Sequence, residues 1–268
     1  MMPSREEGLF VSVSQLKTYL RCPRQYELRY VLGEPQERVA AALVLGTAVH
    51  AALASYYTAL RDGGAPPLEA VLDVFGGAWV AAQPPEVPVL TDDDEPLAAL
   101  EQLGRRMLQV FHAQATRLTG VRPVMVEAPF AIELHHPESH EVLDERLVGV
   151  IDLVADVDGR RLIVEHKTSA RRYSRDQLEH DLQPTAYLLA ARRLDLGADA
   201  LTYQIITKAA TPAIQHAEVE RTTEQERELL VTVVGVLRAI EAGAFYPVRG
   251  WQCRSCSHRD ACSRRSSG

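Results

Sequence analysis

Apolar residues recur three and four positions apart through the first 120 residues, which is the spacing of one face of an α-helix. In residues 14–32, Ser12 or Ser14 can serve as the N-cap and Gly33 as the stop, while Pro23 divides the run into two short helices. Residues 83–96, rich in proline and acidic side chains, predict an exposed loop. Further helices are predicted at 46–61, 67–81 and 97–118.

After Gly120 the pattern changes to runs of β-branched and other apolar residues, which predict strands. Asp158-Gly159 separates two of these runs and is a strong signal for a two-residue hairpin turn. The predicted strands are 123–134, 146–157, 161–168, 200–208 and 213–219.

Two helices are predicted among and after the strands. Because Pro184 lacks an amide hydrogen, we place a helix start there with Gln183 as N-cap, ending near Leu196. Thr222 and Gln225 form a capping box for a second helix over 222–242. The order of elements is helices, three strands, a helix, two strands, a helix and a cysteine-bearing tail, which indicates an α/β (α+β) protein.

Composition and charge exclude several classes of protein. A chain of 268 residues with 46% apolar residues is neither disordered nor collagen-like and can bury a core. The net charge of −7 gives no overall signature of nucleic-acid binding, so a nucleic-acid partner would need a local basic patch. No stretch approaches the roughly 20 uncharged apolar residues of a membrane span, and no signal-peptide core follows Met1. We therefore expect a cytoplasmic protein with no membrane partner.

The predicted hairpin places three charged side chains together. If Val157 pairs with Arg160, Asp152 lies directly opposite Glu165, and Lys167 shares the face of Glu165. The Cβ atoms of such a pair lie about 4.5–5.5 Å apart, close enough for both carboxylates to bind one cation. The alternative is a surface ion pair on an edge strand. Two oxygen ligands plus waters suit Mg²⁺ or Mn²⁺, and a lysine beside them suits phosphate chemistry.

These residues also carry a resemblance to a known family. Asp152, followed after twelve residues by Glu165-His166-Lys167, resembles the D-(x)n-E-x-K core of the PD-(D/E)xK nucleases, although Val150-Ile151 stands where the family name has a proline. Three further segments resemble motifs of the RecB-like branch, which includes the CRISPR-associated and AddB-type iron–sulfur exonucleases. They are Ser14-Gln15-Leu16 through Cys22-Pro23-Arg24-Gln25-Tyr26, Gly46-Thr47-Ala48-Val49-His50, and Gln183-Pro184-Thr185-Ala186-Tyr187.

The resemblance implies a fold and an organisation. The fold would be a restriction-endonuclease-like core over residues 121–245, with a central mixed sheet flanked by helices. A helical region over 1–120 would carry the first cysteine and a metal-binding histidine, and a cysteine tail would occupy 246–268. All three parts would belong to one integrated domain.

The resemblance also implies roles for individual residues. His50, Asp152 and Glu165 would hold Mg²⁺ or Mn²⁺, and Lys167 would orient the attacking water or stabilise the developing negative charge. Gln183 and Tyr187 lie four apart on one helical face and would contact a phosphate or a base; the alternative is an N-cap and a half-buried aromatic. Acidic residues in the strand before the hairpin are common in this family, which makes Glu127 a further candidate.

Three of the four cysteines, Cys253, Cys256 and Cys262, lie within the last sixteen residues, and the fourth is Cys22. In a reducing compartment such a group favours metal ligation over disulfides. A Zn²⁺ site, with His258 in place of one cysteine, is one interpretation. The resemblance implies instead a [4Fe–4S] cluster that joins the two ends of the chain. Arginines of the tail and Trp251 would then form the local basic patch.

The expected function is a metal-dependent DNA exonuclease that acts on single-stranded ends, in DNA repair and recombination or in CRISPR-type DNA processing. The sequence contains no P-loop, so strand separation would need a helicase or another DNA-processing partner. Two alternatives are a non-catalytic iron–sulfur module for DNA binding or assembly, and a zinc-stabilised nuclease.

Overall fold

The computed structural model describes residues 9–91, 96–117 and 120–266. The acidic run Asp92 to Glu95 and the predicted helix end at Leu118 lie outside the described residues. The helices are α1 (Val13–Arg21), α2 (Pro23–Tyr26), α3 (Ala41–Arg61), α4 (Leu68–Ala81), α5 (Leu97–Ala115), α6 (Arg175–His180), α7 (Leu182–Arg193), α8 (Thr223–Glu241) and α9 (Arg259–Ser266). A π-helical turn, Glu27–Val31, continues α2, and a 3₁₀ turn spans Trp251–Cys253.

The strands are β1 (Phe10–Ser12), β2 (Val39–Ala40), β3 (Val89–Leu90), β4 (Val121–His135), β5 (Val142–Val157), β6 (Arg160–Ser169), β7 (Ala200–Thr207) and β8 (Ile214–Val219). Six of them form one mixed sheet in the order β1-β5-β6-β7-β8, with β4 paired to β5. The β1–β5 and β6–β7 pairs are parallel and the other three pairs are antiparallel. The predicted mixed sheet flanked by helices is confirmed.

The predicted hairpin turn joins β5 to β6. Asp158 and Gly159 have φ angles of 50° and 84°, the left-handed conformation that this two-residue turn requires. Ser12 is the N-cap of α1, where its hydroxyl accepts the amide of Gln15. The helix predicted from residue 46 begins five residues earlier, at Ala41.

One predicted helix start is wrong. The N-cap of α7 is Asp181, whose carboxylate accepts the amide of Gln183 at 2.9 Å. Gln183 and Pro184 lie inside the first turn. The first amides of a helix have no acceptor within it, so Pro184 fits there at no hydrogen-bond cost, and the proline alone could not fix the start.

The sheet is covered on both faces. One hydrophobic cluster includes residues of β5, β7 and α7, with Leu188 and Tyr203 among its fully buried members. The other includes α3, α4 and α5, with Phe75 and Phe111 among its largest buried side chains. α3 and α7 therefore approach the sheet from opposite sides.

α3 differs from the expectation that no stretch of the chain approaches a membrane span. With 21 residues it is long and apolar enough to cross a membrane by length and composition. However, one face of α3 is fully buried in the second cluster, including Val44, Ala48 and Leu53. We therefore interpret it as a core helix.

Candidate active site

The site forms where two strands separate along one edge of β5. Because β4 occupies the other edge over most of its length, β1 and β6 share this one: β1 pairs at Arg146 to Val148 and β6 from Leu153 onward. The hairpin register follows the sequence-based prediction from Val157↔Arg160 to Leu153↔Val164. The ladder stops one pair short of the predicted Asp152–Glu165 pair.

Beyond the last β5–β6 pair, a hydrogen bond from the β6 backbone to the Asp152 side chain takes the place of backbone pairing. The Oδ2 atom of Asp152 accepts the backbone amide of His166 at 2.9 Å and lies 3.4 Å from Nδ1 of His50 on α3. Burial alone would raise the pKa of Asp152, but His50 and the His166 amide hold it below its ordinary value. Burial would lower the pKa of His50, and Asp152 raises it instead. Asp152 and His50 thus form a charge-coupled pair.

Glu165, Lys167 and Gln183 form a closed hydrogen-bonded triangle. Nζ of Lys167 donates to Glu165 Oε1 at 2.6 Å and to Gln183 Oε1 at 2.7 Å, while Nε2 of Gln183 donates to Glu165 Oε1 at 2.7 Å. Burial, helped by the charge of Asp152, raises the pKa of Glu165 to about 7 although Lys167 opposes the shift. Burial would lower the pKa of Lys167, but Glu165 raises it.

Glu127 joins the site from β4. It falls between Val126, paired with Leu153, and Ala128, paired with Ile151, which places it beside Asp152. Its φ of 48° is a left-handed conformation that non-glycine residues adopt mainly where the surroundings enforce it. Its side chain is exposed, but desolvation beside β5 and the charge of Asp152 raise its pKa.

The donor set fits a divalent cation. One ligand atom each from His50, Glu127 and Asp152 lie within 4.8 Å of one another, and this is the one such group of three found in the described part of the chain. Oε2 of Glu165 is buried without a hydrogen-bond partner among the described residues. A buried, unsatisfied carboxylate oxygen is costly unless something else, such as a cation, satisfies it.

Tyr187 is buried beside the site residues Glu165, Gln183 and Asp152. Its hydroxyl donates to the carbonyl of Val150 at 2.9 Å, and burial raises its pKa. Its ring packs edge-on against Phe130 at 5.4 Å. A Cβ at Gly149 would lie 2.7 Å from the Phe130 ring, so this packing requires glycine. The structure thus places Tyr187 as a support for β5 beside Asp152.

Sequence reasoning did not single out Asp181, which holds α7 in place. Besides capping α7, Asp181 pairs with Lys17 at 2.5 Å and accepts the hydroxyl of Tyr203 at 3.0 Å. Arg221 donates to the carbonyl of Leu178 and the hydroxyl of Thr185. An aspartate two residues before Gln183 was the available signal, since aspartate is a strong N-cap.

The four cysteines come from both ends of the chain to line one cavity of about 30 Å³. All four are free, and the Cys22 sulfur lies 3.5 Å from the amide nitrogen of Val248. Burial raises the pKa of Cys256, and the other three thiols add to the rise. Within the described ranges, no three of the sulfur atoms lie within 4.8 Å of one another.

A mixed sheet with carboxylates and a lysine where two strands separate is the arrangement expected of the PD-(D/E)xK class. The chain belongs to the PD-(D/E)XK nuclease superfamily, whose family model matches residues 11–263. The membership predicted from the motifs is confirmed.

Two curated relatives are subunits of an ATP-dependent helicase/deoxyribonuclease, one from Lacticaseibacillus casei and one from Lacticaseibacillus paracasei. Each is 29% identical over 187 residues, which cover 61% of this chain and 16% of the relative. The chain thus matches only a small part of these relatives. A crystal structure from Eubacterium rectale, described as "Putative exonuclease", shares the fold with a TM-score of 0.56 and 14% identity, covering 96% of this chain and 93% of that one.

Proposed function

We propose that this chain is a metal-dependent deoxyribonuclease that hydrolyses phosphodiester bonds at single-stranded DNA ends. The observation that supports it most is the pairing of a buried, unsatisfied Glu165 oxygen with a lysine held 2.6 Å from the other oxygen of the same carboxylate. A cation would satisfy the first oxygen, and the ammonium group of the lysine could donate to a phosphate oxygen. Family membership and the resemblance to helicase/deoxyribonuclease subunits support the choice of DNA.

His50, Glu127, Asp152 and Glu165 are the proposed metal ligands. Three carboxylates suit Mg²⁺ and Mn²⁺, and the imidazole of His50 makes Mn²⁺ the better fit of the two. When bound, the cation lowers the pKa of a water molecule and polarises a phosphoryl oxygen. Glu127 thereby extends the ligand set that the motifs implied.

Lys167 is the proposed stabiliser of negative charge. Because Glu165 raises its pKa, the ammonium group stays charged at neutral pH and is not a general base. Glu165 and Gln183 fix the position of its Nζ, so it can donate to a phosphate oxygen without reorganising. Gln183 acts here through Lys167 and Glu165, and Tyr187 through the backbone of β5.

The cysteine cavity is the proposed site of a [4Fe–4S] cluster. A tetrahedral Zn²⁺ with Zn–S bonds of 2.3 Å needs sulfur atoms about 3.8 Å apart. Among the described residues, no three of the sulfur atoms lie within 4.8 Å of one another, as such a site would need. Four thiolates around a cavity instead suit a cluster that presents one iron to each ligand. Arg24, Arg249 and Arg259 line the same cavity.

A cytoplasmic setting in DNA repair, recombination or CRISPR-type processing completes the proposal. Strand separation would come from a helicase partner. The relatives that this chain resembles are subunits named for a helicase/deoxyribonuclease, and the present sequence contains no P-loop.

Digestion of end-labelled single- and double-stranded DNA with Mg²⁺ or Mn²⁺ tests the proposal. Asp152→Asn and Lys167→Ala should each lower the rate about 100-fold or more, because each removes charge at the reacting phosphate. Asp156→Asn is the matched control on the same strand, since Asp156 pairs with Arg122 and Arg161 and not with the site. Full activity of both site variants would contradict the proposal. DNA binding without cleavage under either metal would favour the non-catalytic module.

A further inference from the structure

The tail after α8 differs in charge from the rest of the chain. Residues 246–266 contain five arginines and one aspartate, whereas the whole chain carries −7. Arg264 and Arg265 pair with Glu37 and Glu34. Arg254 and Arg259 are exposed, and neither forms an ion pair with another described residue. The tail therefore offers cationic side chains to a polyanion.

The tail also carries the exposed aromatic residues. Among the Phe, Tyr and Trp side chains that the structure describes, only Tyr246 and Trp251 are exposed, at 59% and 81%. The other tryptophan, Trp79, is buried at 4%. Single exposed apolar residues are common on proteins, but two exposed aromatics in one short basic segment are typical of a binding surface.

The backbone that presents Trp251 is pinned on both sides. The amides of Cys253 and Arg254 donate to the carbonyls of Gly250 and Trp251, each at 3.1 Å. The side chain of Gln252 donates to the carbonyl of Val248 at 3.0 Å. Because the turn is already ordered, a ligand that stacks on the indole loses little further entropy in ordering it.

α1 connects the tail to the candidate active site. Tyr19 donates to the carbonyl of Ala244, just before the tail, and Lys17 pairs with Asp181 at the start of the helix that carries Gln183. α1 has nine residues, so it is about 13 Å long. The start of the tail thus lies within the reach of a few nucleotides from Gln183.

We propose that Trp251 is a base-stacking platform for single-stranded DNA, with Arg254 and Arg259 contacting the phosphates. The inference rests on the proposed function for its choice of DNA. Every base has a π-face that an indole can cover, so the contact needs no particular sequence. Paired bases in a duplex hide these faces, so the platform favours single strands.

Binding of a fluorescein-labelled oligothymidine, followed by anisotropy in buffer without divalent metal, separates this contact from hydrolysis. Trp251→Ala should weaken the binding about 10-fold or more, whereas Trp251→Phe, which keeps an aromatic ring, should stay within about 3-fold of the wild type. Val80→Ala, which trims another exposed apolar side chain on α4, is the control and should bind as the wild type does. The affinity for duplex DNA of the same length should fall by less than about 2-fold in Trp251→Ala.

Two results would overturn the inference. If Trp251→Ala binds the oligothymidine as tightly as the wild type does, Trp251 does not stack on the bases. If the variant loses affinity equally for single-stranded and duplex DNA, Trp251 contacts only the backbone that both share. Unchanged thermal unfolding and unchanged absorption of the cysteine site in Trp251→Ala would show that the tail is intact. The binding assay contains no divalent metal, so its result does not depend on hydrolysis. A chain that binds through Trp251 in this assay but does not cleave DNA with Mg²⁺ or Mn²⁺ would support the platform and contradict the nuclease proposal.

Discussion

Glu165 shows at the scale of one residue how the fold would prepare the proposed metal site. One of its oxygens accepts from Lys167 and Gln183, and the other is buried without a partner among the described residues. Burial raises its pKa to about 7, and Asp152 raises the pKa of His50. Glu165 therefore carries a proton for part of the time near neutral pH that a bound cation would displace, and the raised pKa of His50 adds to this competition.

We expect the metal requirement to depend on pH for this reason. Below about pH 7, each proton released on binding should raise the Mn²⁺ concentration for half-maximal activity about tenfold per pH unit. The measurement is a Mn²⁺ titration of nuclease activity at several pH values, with DNA binding at each pH as the control. A half-maximal concentration that stays constant between about pH 5.5 and 7 would contradict the proposed ligand roles.

The sequence predicts some residues of this site better than others. The hairpin register, counted outward from the Asp158-Gly159 turn, predicted that Asp152, Glu165 and Lys167 lie together, because side chains alternate along strands. Glu127 carried no comparable signal, since its left-handed φ of 48° depends on the packing of β4 against β5. The triangle between Glu165, Lys167 and Gln183 depends on how α7 docks on the sheet, which no local pattern encodes.

At the scale of an element, the start of α7 decides where Gln183 lies. Asp181 caps the helix and also contacts Lys17 and Tyr203. Burial alone would raise the pKa of Asp181, but Lys17 and the Gln183 amide keep it low, so the carboxylate is charged at neutral pH. Its charge lies at the positive end of the helix.

We expect Asp181→Ala to destabilise the protein by about 1–2 kcal/mol, because the helix loses its cap. Nuclease activity should fall as well, since Gln183 would no longer hold Lys167 in place. Asp181→Asn keeps a side-chain acceptor and is the matched control, with a smaller loss of both. Chemical unfolding and the digestion assay measure the two effects. Equal stability of the Ala and Asn variants would contradict the capping role.

Local chemistry explains which elements were predictable. The Asp158-Gly159 turn and the capping box of Thr222 and Gln225 were predicted from the residues and are present. The hairpin register held as far as Leu153 and Val164 and then ended, because β6 separates from β5 where β1 shares the same edge. A strand of three residues such as β1 has too little pattern to predict this competition.

At the scale of the whole molecule, the two ends of the chain meet. Cys22 lines one cavity with three cysteines of the tail, and residues 34–38 hold α9 directly. The carboxylate of Glu37 accepts the amides of Asp260 and Ala261 at 2.9 and 2.8 Å and lies 3.3 Å from Arg264. Glu37 thus caps α9 from a distant part of the chain, a contact that cysteine spacing alone could not reveal.

Glu37→Ala should loosen the tail, because two amides and Arg264 lose their shared partner. We expect faster trypsin cleavage after Arg254 and Arg259 and, if the proposed cluster is bound, faster loss of its iron to a chelator. Glu37→Gln keeps an acceptor for the amides and should fall between the Ala variant and the wild type.

The pKa of Glu37 adds a test by pH. Burial alone would raise the pKa, but the two amides and Arg264 lower it below the ordinary value. A carboxylate with a lowered pKa stabilises the folded form above its unfolded pKa and loses that effect as pH falls through the folded pKa. The wild-type tail should therefore become more sensitive to an acid-active protease as the pH falls below the ordinary glutamate pKa of about 4.3, and Glu37→Gln should show a smaller change over the same range because Glu34 and Asp260 still titrate. Equal cleavage of the wild type, Glu37→Ala and Glu37→Gln at neutral pH would contradict the role of the Glu37 carboxylate in holding the tail.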